Sequence, residues 1–407
     1  MSNEPFRLRA FILPFYIPAF LWSTGAGVIL PILPLHIRAL GASLSQTGVI
    51  MAMFALGALL GNIPGGVLIG QIGKKRAMMT AVTLEAVLAG SVVLVRNHWL
   101  LAPILLGLGA AHTLFFVARL SCFRELVPRE RRGRALSLLG GETRMGSSLG
   151  PVLGGFTAVG IGFHATFLLF GLFSVVVFLM VWAFVTPDAP ARQRAPAQTG
   201  MARRTLELLR EHRQVFLTAG FVTLVLKLIR EGRKVIFPLW GDAIGMAPSG
   251  IGLLFGAAYL VELVLFYPAG WVMDHWGRKM TAIPCLLLFS TGFLLLPLAR
   301  TPAPFFLLAL LVAVGNGFGA GINMTLSTDF APHGRVVEFL ALWRTITDAG
   351  GAASPVIVGF AASALGLAAA APAVASIGFA GALVMALGVR ETLQRAGPVS
   401  GTQPAVE

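Results

Sequence analysis

The sequence predicts an all-α integral membrane protein of twelve transmembrane helices in two six-helix halves, related by pseudo-twofold symmetry along the membrane normal. Three observations carry this expectation. The chain is more apolar than water-soluble folds tolerate: 56% of its 407 residues are hydrophobic, 12% are charged, and the mean hydropathy is +0.82. Its apolar residues gather in runs that can cross a bilayer, since about 20 helical residues span roughly 30 Å of hydrocarbon. The second half of the chain also repeats landmarks of the first at one constant offset.

The apolar runs lie near 11–35, 48–69, 77–95, 100–122, 135–159, 165–185, 215–237, 251–273, 281–298, 304–325, 339–362 and 367–389, numbered here spans 1 to 12. The first is longer than the apolar core of a cleavable signal and contains Pro14 and Pro18, so it is expected to remain as span 1. Cys122 and Cys285 have no metal-ligand spacing and read as free thiols, and no metal or cofactor is expected.

A net charge of +14 raises the possibility of nucleic-acid binding, but the placement of the bases argues for topology instead. With the N-terminus in the cytoplasm, only Arg38, Arg96 and Arg300 fall in outer loops. The clusters Lys74-Lys75-Arg76, Arg124 to Arg134, Arg192 to Arg213, Arg278-Lys279, Arg335 and Arg390 all fall inside. That is the positive-inside bias, and an even number of spans then puts both termini in the cytoplasm. Abundant Ala and Gly, with Arg far exceeding Lys, fits a bacterial cytoplasmic membrane. The partners expected are a lipid bilayer and a small molecule, without nucleic acid.

At an offset of 204 residues, Pro34-Leu35, Gly41, Ser45 and Gly48 match Pro238-Leu239, Gly245, Ser249 and Gly252. Pro64, Gly66, Gly73 and Lys75 match Pro268, Gly270, Gly277 and Lys279, while Glu125 and Pro128 match Asp329 and Pro332. Pro151 and Gly155 match Pro355 and Gly359. The expected divisions are a first half at 1–186, a cytoplasmic linker at 187–213, a second half at 214–390 and a tail at 391–407. Six spans per copy give both halves one orientation, the parallel repeat of transporters that rock about a midplane site.

The loop after span 2 reads GVLIGQIGKKR, with Gly66, Gly73 and Lys74, and the loop after span 8 reads GWVMDHWGRKM, with Asp274, Gly277, Arg278 and Lys279. Both resemble the loop signature of the major facilitator superfamily. The glycines are expected to let helices approach at a tight turn, with the bases anchoring it at the anionic leaflet. The resemblance gives Asp274 the part of an acid that latches a gate against neighbouring helix ends. The first copy departs from the pattern, with Gly70 and Gln71 where the family has Asp and Arg, and no latch is assigned there. Span 5 contains GSSLGPVLGG, with Gly150, Pro151 and Gly154, and span 1 ends in LPILPLHIRALG. These resemble the drug/proton antiporter branch, which implies a monomeric exporter working by alternating access with protons as the coupling ion.

Charges inside the spans carry the site hypotheses, because each costs about 2.5–3.5 kcal/mol to insert if it faces lipid. Glu85 on span 3 and Arg119 near the end of span 4 read as snorkelling or structural. Arg233 and Lys234 lie near the outer end of span 7 and are expected to reach its surface. Lys227, Arg230, Glu231 and Lys234 share one stripe of span 7, either a basic cavity wall or a self-neutralised network. Arg344 and Asp348, four apart on span 11, read either as a permanent ion pair or as a base beside a proton carrier. Arg144 is the repeat equivalent of Asp348 and is expected to pair with Glu262 across the halves, leaving Glu142 on another face. Glu231, Asp348 and Glu262 are the proton-carrier candidates.

The alternative to an exporter is an importer or facilitator of a small organic anion such as a sugar acid or carboxylate, because cavity bases outnumber acids. No hydrolase triad, phosphate loop or clustered Cys/His arrangement supports an enzyme.

Overall fold

In the computed structural model, residues 11–127, 132–186, 201–332 and 334–393 are described, and they contain helices and no strand. Twelve long helices follow one another as α1 (Ile12–Ala39), α2 (Leu44–Ile72), α3 (Lys74–Ser91), α4 (Leu101–Leu126), α5 (Arg132–Gly160), α6 (Phe163–Phe184), α7 (Phe221–Ala243), α8 (Pro248–Trp276), α9 (Lys279–Leu295), α10 (Pro302–Asp329), α11 (Val336–Leu365) and α12 (Leu367–Leu387). Among the described residues, ten helices are long and apolar enough to cross a membrane. The two outside that criterion are α5, diluted by glycine and serine, and α7, which carries Lys227, Arg230, Glu231, Arg233 and Lys234. A charged helix inside an apolar bundle must face something other than lipid.

Turn chemistry sets the boundaries. Ser43 caps α2 in a reciprocal box with Gln46, satisfying two backbone donors that the helix start leaves open. Gly73 and Gly277, repeat equivalents with φ of 85° and 103°, end α2 and α8 in a conformation that side chains with a Cβ rarely adopt. Two helices are interrupted: α1 breaks between Ile29 and Leu33, where Pro31 withholds a donor, and α10 breaks between Phe318 and Ile322 at Gly319 and Gly321. Span 10 therefore runs past its expected end at 325, to Asp329.

The packing repeats. In the first half α1 lies against α5 and α6, α3 against α4 and α6, and α2 against α4. Adding six to each label gives the second half: α7 against α11 and α12, α9 against α10 and α12, and α8 against α10. The halves meet along α2 with α11 and α5 with α8, each contact being the repeat image of the other. The buried apolar core of the second half is one continuous cluster that also takes in Leu35 of α1 and Leu208, whereas the rest of the first half's core falls into two.

The repeat landmarks of the sequence are the crossing points. A Cβ on Gly48 would overlap the Pro355 carbonyl and sit 3.0 Å from Gly359 Cα. Gly252 stands in the same relation to the Pro151 carbonyl and to Gly155 Cα, at 3.1 Å. Gly150 and Gly154 serve the neighbouring contact, meeting α1 at Thr24, Gly27 and Val28. Flanks without a Cβ let backbones close to van der Waals distance, which is where helix association in lipid gets its energy. Both inter-half crossings lie near the start of α2 and α8, at the end of the bundle opposite the basic loops.

At the basic end, repeat-equivalent contacts hold each half separately. Lys74 pairs with Glu125 at 2.5 Å and Arg278 with Asp329 at 2.8 Å. Lys75 donates to the Trp182 carbonyl at 2.7 Å, and Lys279 to that of Ala386 at 2.8 Å. Glu391 in addition accepts from the backbone N–H groups of Arg278 and Lys279, at 2.9 and 3.0 Å, at the start of α9. Partial desolvation opposes charge on Glu391, but these donors outweigh it and draw its pKa below the ordinary value.

Two contacts expected of the loop signature are not made in this structure. Gly66 and Gly270 do not mediate a close approach here, since a Cβ on either meets nothing within 4 Å. Asp274 latches nothing: it is exposed and forms no ion pair among the described residues. Both facts have one cause, which is that the halves are parted at the basic end. Of the expected linker, 187–200 lies outside the described residues, and Met201–Glu211 is a helix reaching Arg335 through Glu211 at 3.4 Å. Of the tail, 394–407 lies outside them as well.

The crossings yield a test with an internal control. Gly48→Ala and Gly252→Ala are expected to cost about 1–3 kcal/mol each by overpacking, while Gly270→Ala, which meets open space, leaves stability unchanged. Thermal unfolding in detergent checks this, and equal midpoints for the three variants would show that the crossings are not close-packed in the membrane protein.

Candidate functional site

Between the halves lies a cavity of about 440 Å³, roofed by the glycine–proline crossings and lined by α1 to α6 of one half and α7, α8 and α11 of the other. Its walls differ in chemistry. The first half contributes mostly apolar and aromatic surface, including Trp22, Phe54, Phe116 and Phe170, with the polar tips of Asn62 and Ser147. The second half contributes Lys227, Glu231, Lys234, Arg344 and Asp348, with the Tyr259 ring.

Helical spacing arranges the charged wall. On α7, Glu231 lies between Lys227, one turn before it at 3.4 Å, and Lys234, one turn after at 2.8 Å. On α11, Arg344 reaches Asp348 one turn on, at 3.4 Å. Three bases and two acids leave this wall one positive charge in excess. Each acid lies within ion-pair distance of a base on its own helix.

Other expected site residues lie elsewhere. Glu262 does not pair with Arg144. It is buried against Arg233 on α7 at 2.6 Å, inside the second half. Arg144 instead stacks its guanidinium on Phe266 of α8, 4.3 Å from the ring centre, which ties the halves by a cation–π contact. Arg233 is 3% exposed and so does not reach the surface, because burial with a full ionic partner costs less than an unpaired end there. Lys234 turns to the cavity rather than outward. Arg230 leaves the stripe: its Nε donates to Asn316 Oδ1 at 2.6 Å and its Nη2 to the Gly319 carbonyl at 2.9 Å, at the break in α10. The main-chain kink attracts it away from the cavity.

Sequence reasoning undervalued a cluster in the first half. Glu85 is fully buried, and its Oε1 accepts from the Trp22 indole N–H at 3.2 Å and faces His112 Nδ1 at 3.3 Å. The His112 ring stacks on Trp22, with centroids 4.0 Å apart and planes 18° from parallel. Arg119 is buried too, 5.3 Å from the Trp22 ring and 4.0 Å from Glu142. Neither Glu85 nor Arg119 snorkels. The available signal was an ionisable residue at mid-span, which is a site hypothesis by default; what hid it was that its partners sit on two other helices, α1 and α4, at separations no local spacing displays.

Comparison with known proteins agrees with this architecture. The family profile described as Major Facilitator Superfamily matches residues 15–231 and 232–405. The quinolone resistance protein NorA of Staphylococcus aureus is 24% identical over 292 residues, covering 68% of this chain and 73% of the relative. The multidrug resistance protein MdtH of Shigella boydii is 26% identical over 301 residues, covering 72% and 71%. An uncharacterized MFS-type transporter of Methanocaldococcus jannaschii is 22% identical over 366 residues, covering 89% and 94%. Among solved structures, the nucleoside transporter NupG superposes with a TM-score of 0.77 at 12% identity, covering 94% of this chain and 100% of that one. A POT family transporter in complex with a conjugated peptide superposes with 0.76 at 11% identity, covering 93% and 95%, and likenesses this remote speak for the fold alone. Twelve helices, a duplicated half, a cavity between the copies and a family match over both repeats lead to one conclusion: the chain belongs to the major facilitator superfamily, as a membrane transporter and not an enzyme.

Proposed function

We propose that this transporter exports small amphipathic compounds by alternating access, exchanging them for protons. The observation that carries the proposal is the two-faced cavity, with an aromatic wall on the first half and a charged wall of net positive sign on the second. An aromatic compound with an ionised carboxylate matches both, stacking on the Trp22 side and meeting Lys227, Lys234 or Arg344 on the other. The names of NorA and MdtH, which speak of quinolone and multidrug resistance, point to the same chemical class.

The halves 1–186 and 214–390 are the rocking units in this proposal, joined by the linker 187–213 and followed by the tail 391–407. Positive-inside charge makes the basic end cytoplasmic, with both termini there, in a bacterial cytoplasmic membrane. The conformation is then inward-open: the glycine–proline crossings close the outer side, and the loop signatures stand apart. Rocking outward parts those crossings and brings Gly66, Gly270 and Asp274 into the contacts they lack here, with Gly73, Lys74, Gly277, Arg278 and Lys279 holding the turns. Arg144 on Phe266 is the pivot contact in the middle of α5 and α8. Arg230, Arg233 and Glu262 brace the second half behind the charged wall, whose Lys227, Glu231, Arg344 and Asp348 meet the substrate. The protein acts as a monomer, since one chain encloses the whole pathway.

A second reading, import of a small organic anion such as a sugar acid or carboxylate, draws on the excess of bases over acids in that wall. Flux direction separates the two. In proteoliposomes an acid interior should drive accumulation of a zwitterionic fluoroquinolone, and counterflow should be saturable; acceleration of uptake by an acid exterior instead would favour import and sink the exporter reading.

The charged wall gives a further prediction. Arg344→Gln should weaken binding of the zwitterionic fluoroquinolone about tenfold, from the loss of a partly hydrated charged hydrogen bond worth about 1.4 kcal/mol, and leave binding of a permanently cationic dye unchanged. Equal losses for both ligands in a fluorescence binding assay would mean that the arginine shapes the cavity without reading charge.

A further inference from the structure

The acids that reach the cavity differ in what they face. Glu231 lies between two lysines and Asp348 beside an arginine, each within ion-pair distance. An acid locked to such a base is a poor place to load and release a proton. Glu85 is the exception.

Its Oε1 faces an indole N–H and an imidazole nitrogen, and its Oε2 is buried without a hydrogen-bond partner. Burying a carboxylate with one oxygen unsatisfied is expensive, and a proton shared with the neighbouring imidazole relieves that cost. His112 is suited to this, because it is the one side chain type that ordinarily changes charge near neutral pH. It also has a route to water: its side chain is 26% exposed and lines the cavity together with Glu85 and Trp22.

We propose that Glu85 and His112 are the proton-binding centre of this transporter, placed in the first half and separate from the charged wall that meets the substrate. The proposal rests on the proton coupling proposed above. Loaded, the pair is neutral, as carboxylate with imidazolium or as carboxylic acid with imidazole. Unloaded, one proton has passed from the imidazole to cavity water, and the pair carries one negative charge.

The surroundings are those such a change needs. From α4, Arg119 stands over the same indole with its Nε and Nη1 lacking hydrogen-bond partners, a fixed positive charge for the unloaded pair. On the far side Glu142 of α5 lies 4.0 Å from Arg119. Helix α1 supplies the Trp22 N–H, α2 supplies Asn62 in the cavity lining, and the one titratable residue of α6, His164, lies at that helix's opposite end beside His36. Trp22 links the proton to the cargo. It stacks on His112, bonds Glu85 and borders the cavity, so a compound held against this part of the cavity wall lies next to the side chains that hold the proton.

Two measurements on the full-length protein test this. Protonated imidazole quenches a stacked indole, so acidifying purified protein through neutral pH should quench a component of tryptophan emission. That component should vanish in Trp22→Phe and His112→Asn and shift to lower pH in Glu85→Gln, where the imidazolium loses its carboxylate. A component unchanged in all three overturns the proposal. In proteoliposomes, Glu85→Gln and His112→Asn should reduce gradient-driven fluoroquinolone accumulation to the level seen without a gradient while saturable counterflow persists, so that coupling falls further than exchange, and Glu85→Asp should restore part of the coupling. Wild-type coupling in Glu85→Gln overturns the assignment, as does a parallel loss of coupling and counterflow in both variants, which marks a structural role. If the wild-type protein itself shows no gradient-driven flux, proton exchange fails as a function, and the emission titration still decides whether the pair binds a proton.

Discussion

Everything in this structure depends on two places where backbone meets backbone: Gly48 against Pro355 and Gly359, and Gly252 against Pro151 and Gly155. In lipid there is no hydrophobic gain in bringing helices together, so contact must come from close packing, and only glycine permits it at these distances. Placing both crossings at the same end forces the other end apart. The cavity, the separated loop signatures and the unlatched Asp274 all follow from that geometry. Because the two crossings are repeat images, one duplicated sequence feature builds the whole roof.

Duplication did not extend to chemistry. The halves share their packing, their turn glycines and their ion pairs at the basic end, down to Lys74–Glu125 and Arg278–Asp329. Their inward faces diverged. One became an aromatic surface with a single buried acid, the other a row of charges on α7 and α11. A cavity made of two different walls orients an amphipathic molecule, whereas two like walls would leave it free to turn.

Much of the fold was legible in the sequence because membrane solvation writes it plainly: run length gives the helices, and a gap-free repeat gives the symmetry. The candidate site was less so. Spacing of three and four residues placed Lys227 and Lys234 beside Glu231 and Arg344 beside Asp348, since those partners share a helix. It failed for Glu262, whose partner was sought on α5 and stands on α7, and for Arg230, drawn off by a break in α10 that no charge pattern announces. Glu85 looked solitary because its neighbours come from α1 and α4, and contact between helices is settled by packing, not by local periodicity.

The division of the first half's core into two clusters has a mechanical meaning. One cluster gathers around Phe115 and Phe123, the other around Leu105 and Phe167, and Glu85 and His112 stand at the level between them. Apolar packing resists sliding because interdigitated side chains must separate before they can move. A layer of polar side chains and hydrogen bonds re-forms more readily after a small displacement. The first half would thus yield most easily at the depth of Glu85, where the described core of the second half has no such division.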